Sequence, residues 1–518
     1  MYDLLCDKIV LVEVGGREVR ACSLPDVFAL TKADQIEAFQ GLAAHQAQAW
    51  YQFLAQVGAL AMLRAGQGKP VETADEWRDL LGALTPDCAD TAWSLVVEDA
   101  TKPAFLQPPT QKLADFKPLA KTPDGIDLLV TAKNHDRKKA VAIGNAPHHW
   151  LYALVSTQTA NGFSGRGNYG IARMNGGLSA RVLVDRHESG RWGVRVRRGT
   201  RMLLGQRENV LKTHDYSLFA NDNDGLALTW LVPWDADAPL ITQELDPYFV
   251  EICRRIRLTA DADGSIAALG QPSVSTRVDA AAYSGNLADP WVPVEKGGKA
   301  LTVSANGFDY RLAHRILLDG EFEKPLALRE LRGEPAQDSE IHMAVLVRGQ
   351  GKTEGLHERI IKLPAGIAKA LNTDVGDQDD ERGRTLADVS RRMVALAGEA
   401  RRVLRQAMIV YLQGPEHPDF QSKIADPISQ RLDRALDELF FDFLFEQNRS
   451  GFDAARTERA WQRFLRTEAA RLAEEVWDGS SAPSVRREKA RAASESVLWS
   501  GFRKNLPLAF ERPEEDAA

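Results

Sequence analysis

Apolar residues recur every three to four positions through Phe39, Leu42, Trp50, Phe53, Leu54, Val57 and Leu60, which predicts a long amphipathic helix. Thr31 with Asp34 three residues on reads as a capping-box start ahead of it. Upstream, residues 8–14 and 17–22 are rich in β-formers and meet at Gly15-Gly16, so a hairpin is predicted. Residues 103–109 (PAFLQPP) break the periodicity and read as extended loop, whereas 148–159 (HHWLYALVSTQT) read as helix. Between about 178 and 211 the pattern predicts short strands and turns, with Arg195 and Arg197 on one face of a strand. Further β-like segments fall at 226–232, 301–304, 308–312 and 341–348. No regular βαβ alternation and no internal repeat is present.

Beyond Pro364 the texture changes. An acid-rich stretch, NTDVGDQDDERGR, precedes four segments of helical period. Leu386, Val389, Met393, Leu396, Val403, Leu404 and Met408 form the first stripe, which ends before Gly414-Pro415. Ile428, Leu432, Leu436, Leu439, Phe443 and Leu444 form the second, and Trp461, Phe464, Leu465, Leu472 and Val476 the third. The fourth spans about 484–506 with Val497, Leu498, Trp499 and Phe502. The pattern predicts an α+β chain. An irregular mixed α/β domain over 1–364 precedes an antiparallel four-helix bundle over 365–510 and an acidic tail at 511–518.

A chain of 518 residues, 44% hydrophobic and 26% charged, is that of a folded protein with a substantial core, and excludes collagen-like, disordered and disulfide-scaffold classes. Cys6, Cys22, Cys88 and Cys253 are scattered without a CxxC pair, which fits a reducing compartment. The first residues lack the pattern of a secretory signal, and the longest apolar runs fall short of the roughly 20 residues that span a bilayer. A cytoplasmic chain with no membrane contact is expected.

The net charge of −7 argues against a polyanionic partner, but its distribution argues the other way. Residues 131–213 hold 15 Lys and Arg against 4 Asp and Glu, so this window carries +11 and leaves −18 for the rest. Such an island is either a nucleic-acid footprint or a set of arginine strands facing solvent.

Several motifs suggest chemistry that their context does not support. GRGNYG at 165–170 matches the dinucleotide-binding glycine spacing, but that fingerprint needs a strand before it and a helix after it. Gly351-Lys352-Thr353 resembles the end of a phosphate-binding loop, yet Leu346 stands where the first glycine belongs. His135, Asp136 and Asp124 could be assembled into a metal-dependent nuclease centre. Their spacing is no metal signature, and adjacent His148 and His149 are expected on different helix faces. No catalytic set, metal site or cofactor is expected.

A binder remains. Lys133, Asn134, His135, Arg137, Lys138 and Lys139 form a polar loop with phosphate-reaching cations. Residues 161–177 (NGFSGRGNYGIARMNGG) hold six glycines with Phe163, Ser164, Arg166, Asn168, Arg173 and Asn175. Glycine permits close backbone approach, arginine binds phosphate, and asparagine or aromatic groups touch bases.

In order and spacing, the Gly15-Gly16 hairpin, SLPDVFAL, PAFLQ, Leu128-Leu129 with AKNHD, the loop NGFSGRGNYG and the closing helical bundle resemble the CasA family. That family is the large subunit of the type I-E CRISPR surveillance complex, Cascade. The resemblance implies a non-catalytic subunit for antiviral defence, placed beside the 5′ handle of the guide RNA. Such a subunit reads the protospacer-adjacent motif of double-stranded DNA from the minor groove and starts R-loop formation. It also implies contacts with the backbone, handle-capping and small subunits, and recruitment of a nuclease-helicase. By that resemblance the DNA-reading loop is Gly162, Phe163, Ser164 and Gly165 with Arg166 beside it, and the handle loop is Lys133, Asn134 and His135. The strand-separating wedge is the turn carrying Gln350, Gly351, Lys352 and Thr353. Lys296 and Lys299 are candidates for the family's minor-groove lysine. A cysteine-rich zinc insertion found in some members has no counterpart here.

Overall fold

A computed structural model describes the chain apart from residues 70, 89, 130–144, 215, 222–223, 235–237, 336, 373–380, 447–452, 480–484 and 512–518. The chain folds as two compact units. One takes Met1–Gly307, Glu323–Glu334 and Ser339–Ile360, and the other takes Phe308–Phe322, Pro335–Asp338 and Ile361–Ala518.

The first unit opens with the hairpin its sequence predicts. Val10–Val14 and Glu18–Cys22 pair antiparallel through Val10↔Cys22 and Val14↔Glu18, and the turn lies at positive φ at Gly15, Gly16 and Arg17. The capping box lies elsewhere than expected. It is Ser23 with Asp26, which starts a helix over Leu24–Lys32, while Thr31 is buried in that helix's last turn and Asp34 leaves it at a φ of 57°. Ser23 is followed by helix-starting Pro25 and then Asp26, and this pairing satisfies two backbone donors. The long helix begins only at Ala44 and runs to Arg64, buried on every side from Gln48 to Met62. It is therefore the axis of the core rather than an amphipathic surface helix.

The largest correction concerns residues 178–211. Only Leu183–His187 is a strand, and Trp192–Thr213 is a continuous helix. Val194 and Val196 alternate with Arg195 and Arg197 over too short a stretch to set a period of two. Val196, Gly199, Leu203, Val210 and Leu211 instead form a buried stripe at helical spacing. The helix crosses the core helix through its glycines. A Cβ at Gly199 would stand 3.0 Å from the Cβ of Ala55, and one at Gly58 would stand 3.4 Å from Thr200 Oγ1.

Other β-like readings also shift. Residues 308–312 begin a helix, Tyr310–Leu317, capped by Asp309, whose side chain accepts from Leu312 N. Residues 301–304 form no strand, and 226–232 keep only Leu226–Leu228. Residues 341–348 lie in the strand Ser339–Gly349, the centre of a three-stranded sheet between Leu183–His187 and Lys352–Leu363. A second sheet sets Ile266–Gln271 between Lys117–Ala120 and Arg255–Ala260.

Among the described residues, six of the island's eleven cations are internal. Arg173, Arg181, Arg186, Arg195, Arg198 and Arg207 are buried. Arg181 pairs with Asp289 at 2.6 Å, Arg198 with Glu334 at 2.7 Å and Arg207 with Asp246 at 2.9 Å. Arg173 donates to the carbonyls of Phe249 and Pro247 with its guanidinium 3.8 Å above the Phe249 ring. An irregular domain leaves many carbonyls outside ladders, and the five donors of a guanidinium satisfy them in groups.

In the second unit the helices Glu381–Gln413, Asp426–Glu446, Ala454–Asp478 and Val485–Asn505 follow the four predicted stripes. Their directions follow from cross-contacts. Arg401 meets Asp433 and Arg405 meets Asp426, so the first two run antiparallel. Trp461 Nε1 donates to Met393 O and Tyr411 OH to Trp477 O, so the third runs with the first. Ser494 Oγ donates to Ala407 O and Arg402 to Asn505, so the fourth runs against it. The result is an up-down-up-down bundle. The helix Tyr310–Leu317 packs on it, with Tyr310 and Phe440 rings 5.0 Å apart. Residues 373–380 of the acid-rich stretch and the tail beyond Glu511 lie outside the described residues, and the end of that stretch, 381–384, already belongs to the first bundle helix. Among the described residues no helix is long and apolar enough to cross a membrane, and the four cysteines are free thiols.

Candidate nucleic-acid interface

The glycine loop is held by the helix before it. Pro147–Ala160 starts with proline in its first turn and is buried continuously from Trp150 to Ala160. Gln158 on this helix donates to the carbonyls of Leu106 and Arg254, each at 2.9 Å, and accepts from the amides of Cys253 and Arg254. One buried amide therefore uses all four of its hydrogen-bonding positions and ties the helix to residues 253–254.

Asn161 leaves the helix in extended backbone. Phe163 N donates to Gly177 O, Ser164 N to Asn168 O, Asn168 N to Gly165 O and Ile171 N to Asn161 O. These bonds close a tight hairpin, so the loop is a built element rather than a loose connection. Gly165 and Gly167 sit at φ of 111° and 84°, which glycine adopts without strain. Space excludes side chains at two others: a Cβ at Gly162 would lie 2.3 Å from Ser179 O, and one at Gly170 would lie 2.8 Å from the carbonyl carbon of Gly162. As expected, the segment before GRGNYG is a helix and the one after it is not, so the dinucleotide fingerprint fails on structural grounds.

The tip presents Phe163, Ser164, Arg166 and Asn168 as exposed side chains, with the Phe163 and Tyr169 rings 6.1 Å apart. Below it, Arg254 clamps the hairpin by donating to Gly162 O at 2.9 Å, to Tyr169 O and to Ser164 Oγ at 3.4 Å. Ser273 N donates to Gly167 O at 2.9 Å, so the segment after Gln271 flanks the same hairpin. Beside these residues opens a cavity of about 350 Å³.

The QGKT turn is reached from the same place. Strands Ser339–Gly349 and Lys352–Leu363 are joined through Gln350 and Gly351, the latter at a φ of 72°. Gln350 and Lys352 are exposed, and Lys352 Nζ lies 2.8 Å from Glu354 Oε1. Thr353 Oγ1 is buried without a partner among the described residues. Arg348 Nη1 donates to Asn161 Oδ1, and Ala180 N to Leu346 O, so this hairpin and the glycine loop share a base.

Three predicted contact residues stand elsewhere. Arg173 is buried, and burial pushes its guanidinium pKa down to about 10, so it is a strut inside the unit rather than a phosphate-reaching group. Arg195 is on a helix, 8% exposed, with its guanidinium 4.4 Å over the Tyr51 ring. Arg197 is half-buried and donates to the carbonyls of Thr31 and Lys32, capping the end of the first helix. These arginines therefore form no positive strand face. Asn175 is half-buried beside Gly285. Lys296 and Lys299 lie exposed in the turn closed by Gly298 N to Glu295 O.

Lys133, Asn134, His135, Arg137, Lys138 and Lys139, with Asp136, lie outside the described residues. Among the described residues no three His, Cys, Asp or Glu converge as a metal site. His148 and His149 do not diverge as expected. Their ring centroids are 4.2 Å apart, and both rings lie against Gly41, where a Cβ would meet His149 Nε2 at 2.6 Å. Burial and the neighbouring His149 bring the His148 pKa down to about 4.

Sequence reasoning missed Arg254, Ser273, Arg348 and Lys117, which surround the hairpin from distant parts of the chain. For Arg254 the available signal was CRRIRL, three arginines set among Cys253, Ile256 and Leu258.

No curated protein sequence matches the chain. Its fold is similar to that of Thermobifida fusca Cse1, with a TM-score of 0.67 at 15% identity over 98% of this chain and 99% of that one. It is similar to CasA of Thermus thermophilus, with a TM-score of 0.61 at 16% identity over 97% and 99%. A chain of a CRISPR RNA-guided surveillance complex matches with a TM-score of 0.57 at 13% identity over 97% and 99%. The family model of the CRISPR-associated protein Cse1 matches residues 9–472, and the chain belongs to the Cse1 family.

Proposed function

We propose that this chain is the non-catalytic large subunit of a type I-E CRISPR surveillance complex, Cascade, acting in the cytoplasm. It reads the protospacer-adjacent motif of double-stranded DNA with the glycine loop, opens the duplex at the QGKT turn, and so starts the R-loop. The observation that carries this reading is the shared base of the two hairpins, fixed by the bond from Arg348 to Asn161. A reader and a wedge set side by side let binding energy at the motif act on the adjoining base step. The minor groove offers a degenerate pattern, which exposed backbone and a few polar groups suit. Each opened step costs about 1–2 kcal/mol of stacking. Family membership and the likeness to a surveillance-complex chain support the assembly partners: guide RNA with its 5′ handle, the backbone, handle-capping and small subunits, and a recruited nuclease-helicase.

The test is duplex binding by a reconstituted complex, with and without the motif. Equal affinity for both would remove the motif-reading role. The competing reading, a metal-dependent nuclease built on His135, Asp136 and Asp124, requires plasmid nicking with magnesium or manganese that disappears in His135→Ala.

A further inference from the structure

Glycines at 162, 165, 167 and 170 leave the loop wide conformational freedom of its own. Its backbone bonds close the tip, through Ser164 N to Asn168 O and Asn168 N to Gly165 O, and the base, through Ile171 N to Asn161 O. The carbonyls of Gly162 and Tyr169 lie between tip and base, one on each limb. Among the described residues neither takes a backbone amide.

Arg254 takes both. Its Nη2 donates to Gly162 O at 2.9 Å and reaches Ser164 Oγ at 3.4 Å, while its Nη1 donates to Tyr169 O. The two ends of one planar fork therefore set the separation and tilt of the two limbs. The arginine is itself pinned. Its amide donates to Gln158 Oε1 at 2.8 Å, its carbonyl accepts from Gln158 Nε2 at 2.9 Å, and the residue is 8% exposed. Arg254 precedes the strand Arg255–Ala260, and Ser273 follows the strand Ile266–Gln271. Arg255 pairs with Gln271, so Arg254 and Ser273 stand at the open end of one strand pair. Ser273 N donates to Gly167 O at 2.9 Å, and that end thus holds the loop at a third point.

We propose that Arg254 is a positioning residue for motif reading: it holds the loop in its DNA-meeting pose before the duplex arrives, and does not touch the duplex itself. The inference rests on the proposed duplex-reading role. A loop ordered in advance loses less binding energy to its own ordering, whereas phosphate contacts made elsewhere are indifferent to its pose. Loss of the clamp is therefore read as loss of discrimination rather than loss of DNA binding.

Arg254→Lys in the reconstituted complex tests it, because lysine keeps a long cationic side chain but has no fork to span the two limbs. Affinity is measured by fluorescence anisotropy for duplexes with and without the motif between about 50 and 200 mM salt, and amide exchange follows residues 163–171. The preference for motif-bearing duplex should fall about tenfold, the size of losing one bond from a charged donor. Affinity for motif-free duplex and the salt slope should match the parent, and the amides of Ser164 and Asn168 should exchange faster. An undiminished preference overturns the inference; equal losses for both duplexes give that result and mark a structural role alone. A salt slope lower by about one also overturns it, by making Arg254 a phosphate contact. If the variant does not fold, exchange in the parent chain decides: Ser164 and Asn168 amides protected without DNA support the clamp, and unprotected ones overturn it. Equal affinity of the parent complex for the two duplexes is a different result, which removes the duplex-reading role and this inference with it.

Discussion

Arg348 donates to Asn161 across 2.6 Å, joining the strand that enters the QGKT turn to the first residue of the glycine loop. A part-buried bond from a charged donor contributes about 1.5–3 kcal/mol. Arg348→Ala and Asn161→Ala are each expected to destabilise by that order, with a coupling energy of about 1–2 kcal/mol in a double-mutant cycle. Strictly additive losses on denaturant unfolding would show that the two hairpins are held independently.

The loop's glycines should separate by mechanism. Gly162→Ala places a methyl 2.3 Å from Ser179 O and 2.9 Å from Gly177 O, so backbone must part, at about 3 kcal/mol or more. Gly165→Ala meets nothing within 4 Å, but its φ of 111° strains any other residue by about 1–3 kcal/mol. The first variant should unfold at clearly lower denaturant. The second should keep the fold and bind duplex more weakly, because the strain falls on the presented turn. Equal midpoints for the two would contradict the close approach at Gly162.

At the QGKT turn, Gln350→Ala with Lys352→Ala should leave stability within about 0.5 kcal/mol, since both side chains are exposed. The pair Lys352–Glu354 contributes at most about 1 kcal/mol there. Binding to motif-bearing duplex should fall while the complex still assembles. Unchanged duplex affinity in the reconstituted complex would remove the wedge assignment.

Two arginines of the basic island should respond in opposite ways. Arg195→Glu replaces a buried guanidinium stacked on Tyr51 with a buried carboxylate, and should cost about 3–5 kcal/mol of stability. Arg166→Glu changes an exposed group at the loop tip and should leave the melting temperature alone while weakening duplex binding. Equal melting temperatures for the two would place Arg195 at the surface.

Glu251 makes stability fall as pH rises. Burial lifts its pKa to about 7, even though its carboxylate accepts from Ala172 N at 2.8 and 2.9 Å and sits near Arg173. A folded-state value above the unfolded 4.5 means that the native chain holds the proton more tightly. Stability relative to Glu251→Gln is therefore fullest below pH 4.5, declines through about pH 7 and is flat above it. The total change is about 3 kcal/mol. A pH-independent difference between the two proteins would contradict this.

The bundle and the first hairpin were legible because each rests on local signals, long stripes of one period or glycines between β-rich runs, whereas the QGKT turn came from the family resemblance. The glycine loop was legible as a loop and as a cluster of candidate contacts. What could not be read was which cations face outward. Arg173 and Arg166 stand in the same glycine-rich run, yet one lies under Phe249 and the other at the tip. The difference is made by carbonyls of 247–249, which no local pattern announces. The same holds for Arg254, whose role comes from oxygens far back along the chain at Gly162 and Ser164. Window charge thus measured how many cations are present, while the fold decided how many carry their charge to the surface.

The two limbs of the glycine loop touch backbone to backbone at Gly162 and Gly170, so those positions admit no side chain. Between them Phe163, Ser164, Arg166 and Asn168 project outward from a frame kept by backbone bonds and by glycine at 165 and 167. Exchanging Phe163, Arg166 or Asn168 would alter what the tip touches and leave its scaffold in place, whereas Ser164 also meets Arg254 through its hydroxyl. A loop of this kind can change what it contacts through surface substitutions alone, with no change to the backbone that carries them.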